Sequence, residues 1–287
     1  MANGEWTREA VHAQPEWLRA VPRDRRLPAG RVVYTGCGTS FHAAQTGGAA
    51  VQALEAVLAP PDADLLVVVS HEGDTPLSLE AARAFDGPKW LVTGKPESPL
   101  GELCEAVVVA TPEVERSWCH TVSYSCAVAT LAALRGEDVG GLPDAVARAL
   151  AAEREPVSEH ERWLIAGAGR DWPTAQEAAL KLREGAYVAA EVHHTEQLLH
   201  GDLAAVDERV RCFVLEGQGR AAERAADAAR ALGILGCEVT LVPSVHPVVD
   251  IVRFQLLTID LAEARGVNPD LIRRDDERWQ RARAAYK

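Results

Sequence analysis

No apolar run in this 287-residue chain is long enough to cross a bilayer, which argues against an integral membrane protein. The N-terminus, Met1-Ala2-Asn3-Gly4-Glu5-Trp6-Thr7-Arg8, has no signal-peptide core, so a cytoplasmic location is expected. Basic residues are in the minority. Thirty Lys and Arg against 42 Asp and Glu give a net charge of −12, which argues against nucleic acid or an anionic membrane as a bulk partner. A small anion stays open, because a nest of backbone N–H groups overrides the global field locally. Cysteine is sparse and unpatterned. The residues at positions 37, 104, 119, 126, 212 and 237 form no Cys-x-x-Cys pair, and most have apolar neighbours in sequence. That points to reduced structural thiols rather than zinc or disulfides. A dinucleotide fingerprint is also missing, since Gly36 and Gly38 lack the third glycine, and there is no Walker loop.

What is present is ordinary globular material, 47% hydrophobic and 25% charged, at a length that suits two domains. The apolar run Val32-Val33-Tyr34 leads into Gly36-Cys37-Gly38-Thr39-Ser40-Phe41-His42 and then an Ala-rich helical pattern. Strand, glycine and hydroxyl loop, then helix is an arrangement that cradles an anion on free N–H groups. The plainer alternative is a tight turn with Ser40 as helix cap. The run Leu65–Val69 ends in Ser70-His71-Glu72-Gly73-Asp74-Thr75-Pro76, so a second polar turn lies at a strand's carboxyl end, where open α/β sheets bind ligands.

Further strands are predicted near 90–93 and 107–110, with helices at 5–21, 121–134 and 145–154. Then Arg162-Trp163-Leu164-Ile165-Ala166 runs into Gly167-Ala168-Gly169-Arg170, an echo of the first unit that predicts an internal duplication. A helix from 175 to about Glu191, strands at 212–215 and 238–242, and helices at 220–235 and 252–265 complete the second unit. The charged tail from Asn268 to Lys287 reads as a helix or arm over the surface. The alternation predicts an α/β fold of two parallel-sheet, flavodoxin-like doubly wound subdomains in tandem, divided as 1–28 (N-terminal helical arm), 29–155 and 156–287.

These motifs resemble those of the sugar isomerase (SIS) domain family. The chain is similar in particular to the isomerase half of glucosamine-6-phosphate synthase and to related phosphosugar isomerases and deaminases. Gly36-Cys37-Gly38-Thr39-Ser40 and the Ser70–Thr75 turn carry the resemblance first. Ala178-Ala179-Leu180-Lys181-Leu182-Arg183-Glu184 resembles the family's Ala-Leu-Lys-Leu-Lys-Glu helix, and Glu196–Leu203 its Glu-Leu-x-His-Gly-Pro turn. Ala13-Gln14-Pro15-Glu16 resembles its Glu-Gln-Pro opening. The resemblance implies an aldose–ketose isomerase or deaminase acting on a sugar phosphate, with no organic cofactor and no metal, in a homodimer whose site draws on a second subunit. It implies Glu184 as the proton-transfer base, Lys181 as a cation near the sugar's O1 or O2, and His200 as the ring-opening aid. Cys37, Gly38, Thr39, Ser40, Ser70, His71, Glu72, Thr75, His120 and Thr121 are the implied substrate contacts. A carboxylate on a buried helix suits the base, because desolvation raises its pKa. His193, His194, Glu196 and His200 raise a metal possibility, but adjacent histidines on one element point apart and no helical zinc motif forms.

The departures bear on substrate choice. The family turn Ser-x-Ser-Gly-x-Thr here carries Glu72 in place of a hydroxyl, and a carboxylate facing phosphate is repulsive. The family loop Val-Ala-Ser-Thr-Lys becomes Trp118-Cys119-His120-Thr121-Val122. The family's C-terminal lysine is missing, and Arg273 and Arg274 offer replacement anion contacts or merely a solvated face. His42 and His71 are expected near the same pocket. No glutaminase region precedes the first α/β unit, which makes full synthase activity unexpected. A ketosamine-phosphate deglycase and a non-catalytic sugar-binding regulator are the alternative readings.

Overall fold

Two series of apolar runs build two parallel sheets. The structure, a computed structural model, describes residues 3–286. Helix α1 (Glu5–Arg19) leads into the first half, β1 (Val32–Gly36), α2 (Thr39–Gly47), β2 (Ala50–Gln52), α3 (Ala53–Leu58), β3 (Leu65–Val69), α4 (Pro76–Ala84), β4 (Lys89–Thr93), α5 (Pro99–Leu103) and β5 (Ala106–Val109), closed by α6 (Val122–Leu134) and α7 (Leu142–Leu150). The second half runs β6 (Arg162–Gly167), α8 (Trp172–Ala186), β7 (Ala189–His194), α9 (Thr195–His200), β8 (Val210–Leu215), α10 (Arg220–Ile234), β9 (Glu238–Val242), α11 (Pro247–Ala264) and α12 (Glu277–Ala284).

The sheet orders are β2-β1-β3-β4-β5 and β7-β6-β8-β9. All pairings are parallel. The first four strands of one sheet and the four of the other follow the same winding, as the echoed strand-and-glycine openings predict. In this order the chain reverses direction of winding between β1 and β3, and the carboxyl ends of those two strands flank the crevice where such sheets take ligands. The Gly36–His42 loop leaves β1 there, and the Ser70–Thr75 loop leaves β3 beside it.

β3 is buried along its whole length, and every residue of α6 is buried, so neither shows amphipathic alternation. The main core joins both halves, with Val67, Val92 and Val108 of the first sheet, Trp163, Ile165 and Phe213 of the second, and α6, α8 and α11 between. Separate apolar clusters cover the outer faces, one under α4 and α5 and one under α10.

Two features depart from the sequence-based expectation. The helix predicted to reach Glu191 ends at Ala186, because Tyr187 adopts the left-handed conformation (φ 56°). The tyrosine hydroxyl offsets that cost by accepting from the Arg273 N–H at 3.0 Å and donating to the Asn268 carbonyl at 2.9 Å. Residues 189–194 then form β7, an edge strand along β6. The short edge strand β2, between Gly48 and α3, was also unexpected. The predicted helix ends shift elsewhere by a few residues, and α7 and α11 each begin with a proline in the first turn, a position that needs no N–H donor.

Candidate functional site

The loop after β1 needs its glycines. A Cβ on Gly36 would lie 2.9 Å from the Ser40 backbone, and Gly38 has φ 53°, so the chain turns tightly into α2. The helix starts at Thr39 with Gly38 as its cap, so Ser40 lies inside the first turn and is not the capping residue. Thr39 thereby faces α8, which packs against α2.

On α8, Glu177, Lys181 and Glu184 share one face at spacings of four and three residues. Glu177 and Lys181 are completely buried, whereas the Glu184 side chain keeps 30% exposure. The Lys181 ammonium lies 3.3 Å from Glu177 Oε1 and 3.1 Å from Glu184 Oε2. It also donates to Thr39 Oγ1 at 3.1 Å and to the Cys119 carbonyl. Burial, the largest influence on Lys181, works against its charge, but the Glu177 and Glu184 carboxylates outweigh it and raise its pKa well above the usual lysine value. Its hydrogen bonds to Thr39, Cys119 and Glu184 use all three donors of the ammonium, so direct contact with a sugar oxygen requires one of them to exchange.

Glu177 went unnoticed in the sequence and joins the two halves. Its Oε1 accepts from the Thr39 hydroxyl at 3.2 Å, and its Oε2 lies 2.8 Å from His42 Nδ1. The available signal was the i, i+4, i+7 register that puts Glu177, Lys181 and Glu184 on one face of the helix.

A second polar group sits at the ends of β3 and β5. The Glu115 carboxylate is buried and accepts from the Thr121 N–H (2.7 Å) and hydroxyl (3.0 Å) and from the Ser123 N–H (2.9 Å) and hydroxyl (2.6 Å). Burial pushes the Glu115 pKa up, but the His120 charge and these donors outweigh it and lower it. The start of α6 is therefore satisfied by the protein's own carboxylate, and Thr121 spends its hydroxyl there. His71 Nε2 accepts from the Glu115 N–H at 2.9 Å, and its ring meets His120 edge-on with centroids 5.5 Å apart. His120 is left-handed (φ 48°), its Nδ1 is buried without a partner among the described residues, and burial lowers its pKa to about 4 against the opposing pull of Glu115. Burial likewise lowers His71.

The remaining predicted contacts lie around these groups. Ser70 Oγ accepts from the Gly73 N–H at 3.2 Å, fixing the turn that carries Glu72. Thr75 stands at the start of α4 with no side-chain cap bond. Cys37 Sγ lies 3.7 Å from Ser78 Oγ, and burial raises its thiol. From the tail, the Arg274 guanidinium stacks on the Trp118 ring at 3.6 Å, with a buried Nε that has no partner among the described residues. Burial and the Arg283 charge lower its pKa against the opposing pull of Glu72 and Glu184. Arg273 lies 4.1 Å from the rings of Tyr187 and Trp279.

His200 stands apart. Its side chain is 73% exposed on α9 and pairs with Glu196 at 2.9 Å, and Glu196 is held by Arg224. His193 bridges Asp202 and Glu191, and His194 stacks on Trp172. Within one chain, then, Glu184, Lys181 and Thr39 come together with Glu177 and His42, and His200 does not join them.

Comparison with known proteins gives the following. Residues 157–234 match the SIS domain. The chain is 26% identical, over 84% of its length and 50% of the other protein, to the isomerizing glutamine–fructose-6-phosphate aminotransferase of Gloeobacter violaceus. It spans about half the length of the curated relatives it matches. Among solved structures, glucosamine-6-phosphate deaminase from Thermotoga maritima superposes with a TM-score of 0.76 at 19% identity, covering 93% of this chain and 97% of that one. Tagatose-6-phosphate ketose/aldose isomerase from Escherichia coli gives a TM-score of 0.75 at 18% identity, covering 94% and 95%.

Proposed function

We propose that this chain, whose residues 157–234 match the SIS domain and whose two parallel sheets share one winding, is a phosphosugar aldose–ketose isomerase or deaminase working by enediol proton transfer. The observation that carries the reading is Lys181, fully buried between Glu177 and Glu184 and bonded across to Thr39 of the glycine loop. A buried network of charges costs stability that an apolar helix face would not, and such networks cluster where chemistry is done.

In this reading the sugar lies at the carboxyl ends of β1 and β3, and the substrate contacts are those expected from the sequence except Thr121, whose hydroxyl is bound to Glu115, with Arg274 as an anion contact. Glu184 takes the proton from one carbon of the C1–C2 pair and returns it to the other. The Lys181 charge favours the enediolate that forms between these steps. The subdomain division at 29–155 and 156–287 belongs to the same reading, as does a homodimer in which His200 of the partner subunit reaches the site. Either that histidine or one from the same chain opens the sugar ring.

The test incubates the protein in deuterated buffer with fructose 6-phosphate, glucose 6-phosphate and glucosamine 6-phosphate. Proton magnetic resonance then follows loss of the signal at C1 or C2. Exchange or conversion of any of the three supports the reading. Saturable binding of a sugar phosphate with neither exchange nor release of ammonia over hours contradicts it in favour of a sugar-binding regulator.

A further inference from the structure

His42 stands one turn beyond Thr39 on α2, and its Nδ1 lies 2.8 Å from the completely buried carboxylate of Glu177. A carboxylate oxygen accepts, so Nδ1 carries the proton in this pair, and the lone pair of a singly protonated ring lies at Nε2. Nε2 makes no hydrogen bond among the described residues, and 14% of the side chain remains exposed. A buried carboxylate behind one ring nitrogen, with the other nitrogen open, is the arrangement that fixes an imidazole's tautomer and stabilises the imidazolium it forms. Glu177 links this ring to Lys181 at 3.3 Å and so to Glu184 at 3.1 Å from the ammonium. The ring therefore belongs to the same buried network as the residue assigned to proton transfer.

We propose that His42, oriented by Glu177, is the ring-opening acid–base of this site and acts within a single chain. The proposal rests on the isomerase reading above. Nε2 takes the proton of the anomeric hydroxyl as the bond between the anomeric carbon and the ring oxygen breaks and a carbonyl forms. The imidazolium then returns that proton to the ring oxygen. No net proton, electron or co-reactant is consumed. Glu177 is a positioning residue in this step. Within one chain His200 pairs with Glu196, whose side chain is 49% exposed, rather than with a buried acceptor.

The experiment compares fructose 6-phosphate, which is mostly cyclic, with erythrose 4-phosphate, whose blocked O4 cannot close a ring. In His42→Asn, exchange of the carbon-bound proton should fall about 10²–10⁴-fold on fructose 6-phosphate and less than threefold on erythrose 4-phosphate. Added imidazole should restore much of the loss in His42→Ala. Equal losses on both sugars, a loss under threefold on fructose 6-phosphate, or a greater ring-specific loss in His200→Ala would each overturn the proposal. A second measurement does not depend on turnover. Nitrogen-15 spectra of the imidazole should show the Nδ1–H tautomer in the parent and its loss in Glu177→Gln, with both proteins folded by thermal melting. An Nε2–H ring in the parent overturns the dyad. A parent that exchanges neither sugar but shows Nδ1–H keeps the dyad and locates the failure in the isomerase reading.

Discussion

Replacing Lys181 with methionine removes a charge from a fully buried position. The side chain is completely buried and stands 3.3 Å from Glu177, which is completely buried too, and 3.1 Å from Glu184, which keeps 30% exposure. Methionine fills most of the volume, so the cavity contribution is small and electrostatics dominates. Glu184 can recover water, but Glu177 cannot. It is left with the Thr39 hydroxyl and His42 as its only partners among the described residues. Breaking a buried pair by removing one member costs about 3–5 kcal/mol, and that is the expected loss in Lys181→Met. Glu177→Gln in the same background removes the stranded charge and should recover at least half of it.

Urea unfolding followed by far-ultraviolet circular dichroism measures all three proteins. The pH dependence gives a second check. The pKa of Lys181 is raised in the folded protein, so its stabilisation is fully present below the unfolded lysine value of about 10.4 and is lost only as pH rises through the higher folded value. The gap between parent and Lys181→Met should therefore not close between pH 6 and 9. A gap below 1 kcal/mol, or one that closes on going from pH 6 to 9, would refute the reasoning.

Glu115→Gln should destabilise by about 2–4 kcal/mol in the same assay, because an amide cannot accept from all four of the Thr121 and Ser123 donors at the start of α6. Burial holds the His120 pKa at about 4 in the folded protein against an ordinary 6.5, so its contribution is complete above pH 6.5 and is lost as pH falls toward 4; thermal melts of His120→Gln should show a shallower decline over that window than the parent. Glu72→Ser should tighten fructose 6-phosphate binding by about 1–3 kcal/mol, roughly 5–150-fold by titration calorimetry, if the carboxylate on the Ser70–Thr75 turn faces the phosphate; a parent that binds at least as tightly as the variant excludes this.

Much of the fold was legible because buried parallel strands write themselves as apolar runs. Leu65–Val69 and Val210–Leu215 are buried throughout; the first was recognisable whole from composition, the second only as its apolar part at 212–215, because Arg211 interrupts the run. The edge strands were not. β2 is three half-buried residues after a glycine pair, and β7 alternates weakly and follows a helix whose break falls at Tyr187, two residues past Gly185. That break is made by Tyr187, whose left-handed backbone is held by contacts to Asn268 and Arg273, more than 80 residues away. No local signal carries that information. The site divides the same way. The spacing of Lys181 and Glu184 put them on one face, but only tertiary packing shows that α8 turns this face inward against α2, which buries Glu177 and brings in His42. Glu115 had no signature at all, because its role is to cap a helix that begins seven residues later.

The most direct measurement is exchange of the sugar's C2 proton with deuterated solvent, catalysed by the parent protein and by Glu184→Gln under identical conditions. The substitution keeps the shape of the side chain and one hydrogen-bonding oxygen toward Lys181 but removes the base. The parent should exchange the proton, and Glu184→Gln should do so about 10²–10⁴-fold more slowly with ligand affinity changed far less. Exchange by Glu184→Gln at the parental rate would contradict the assignment of this residue as the proton-transfer base.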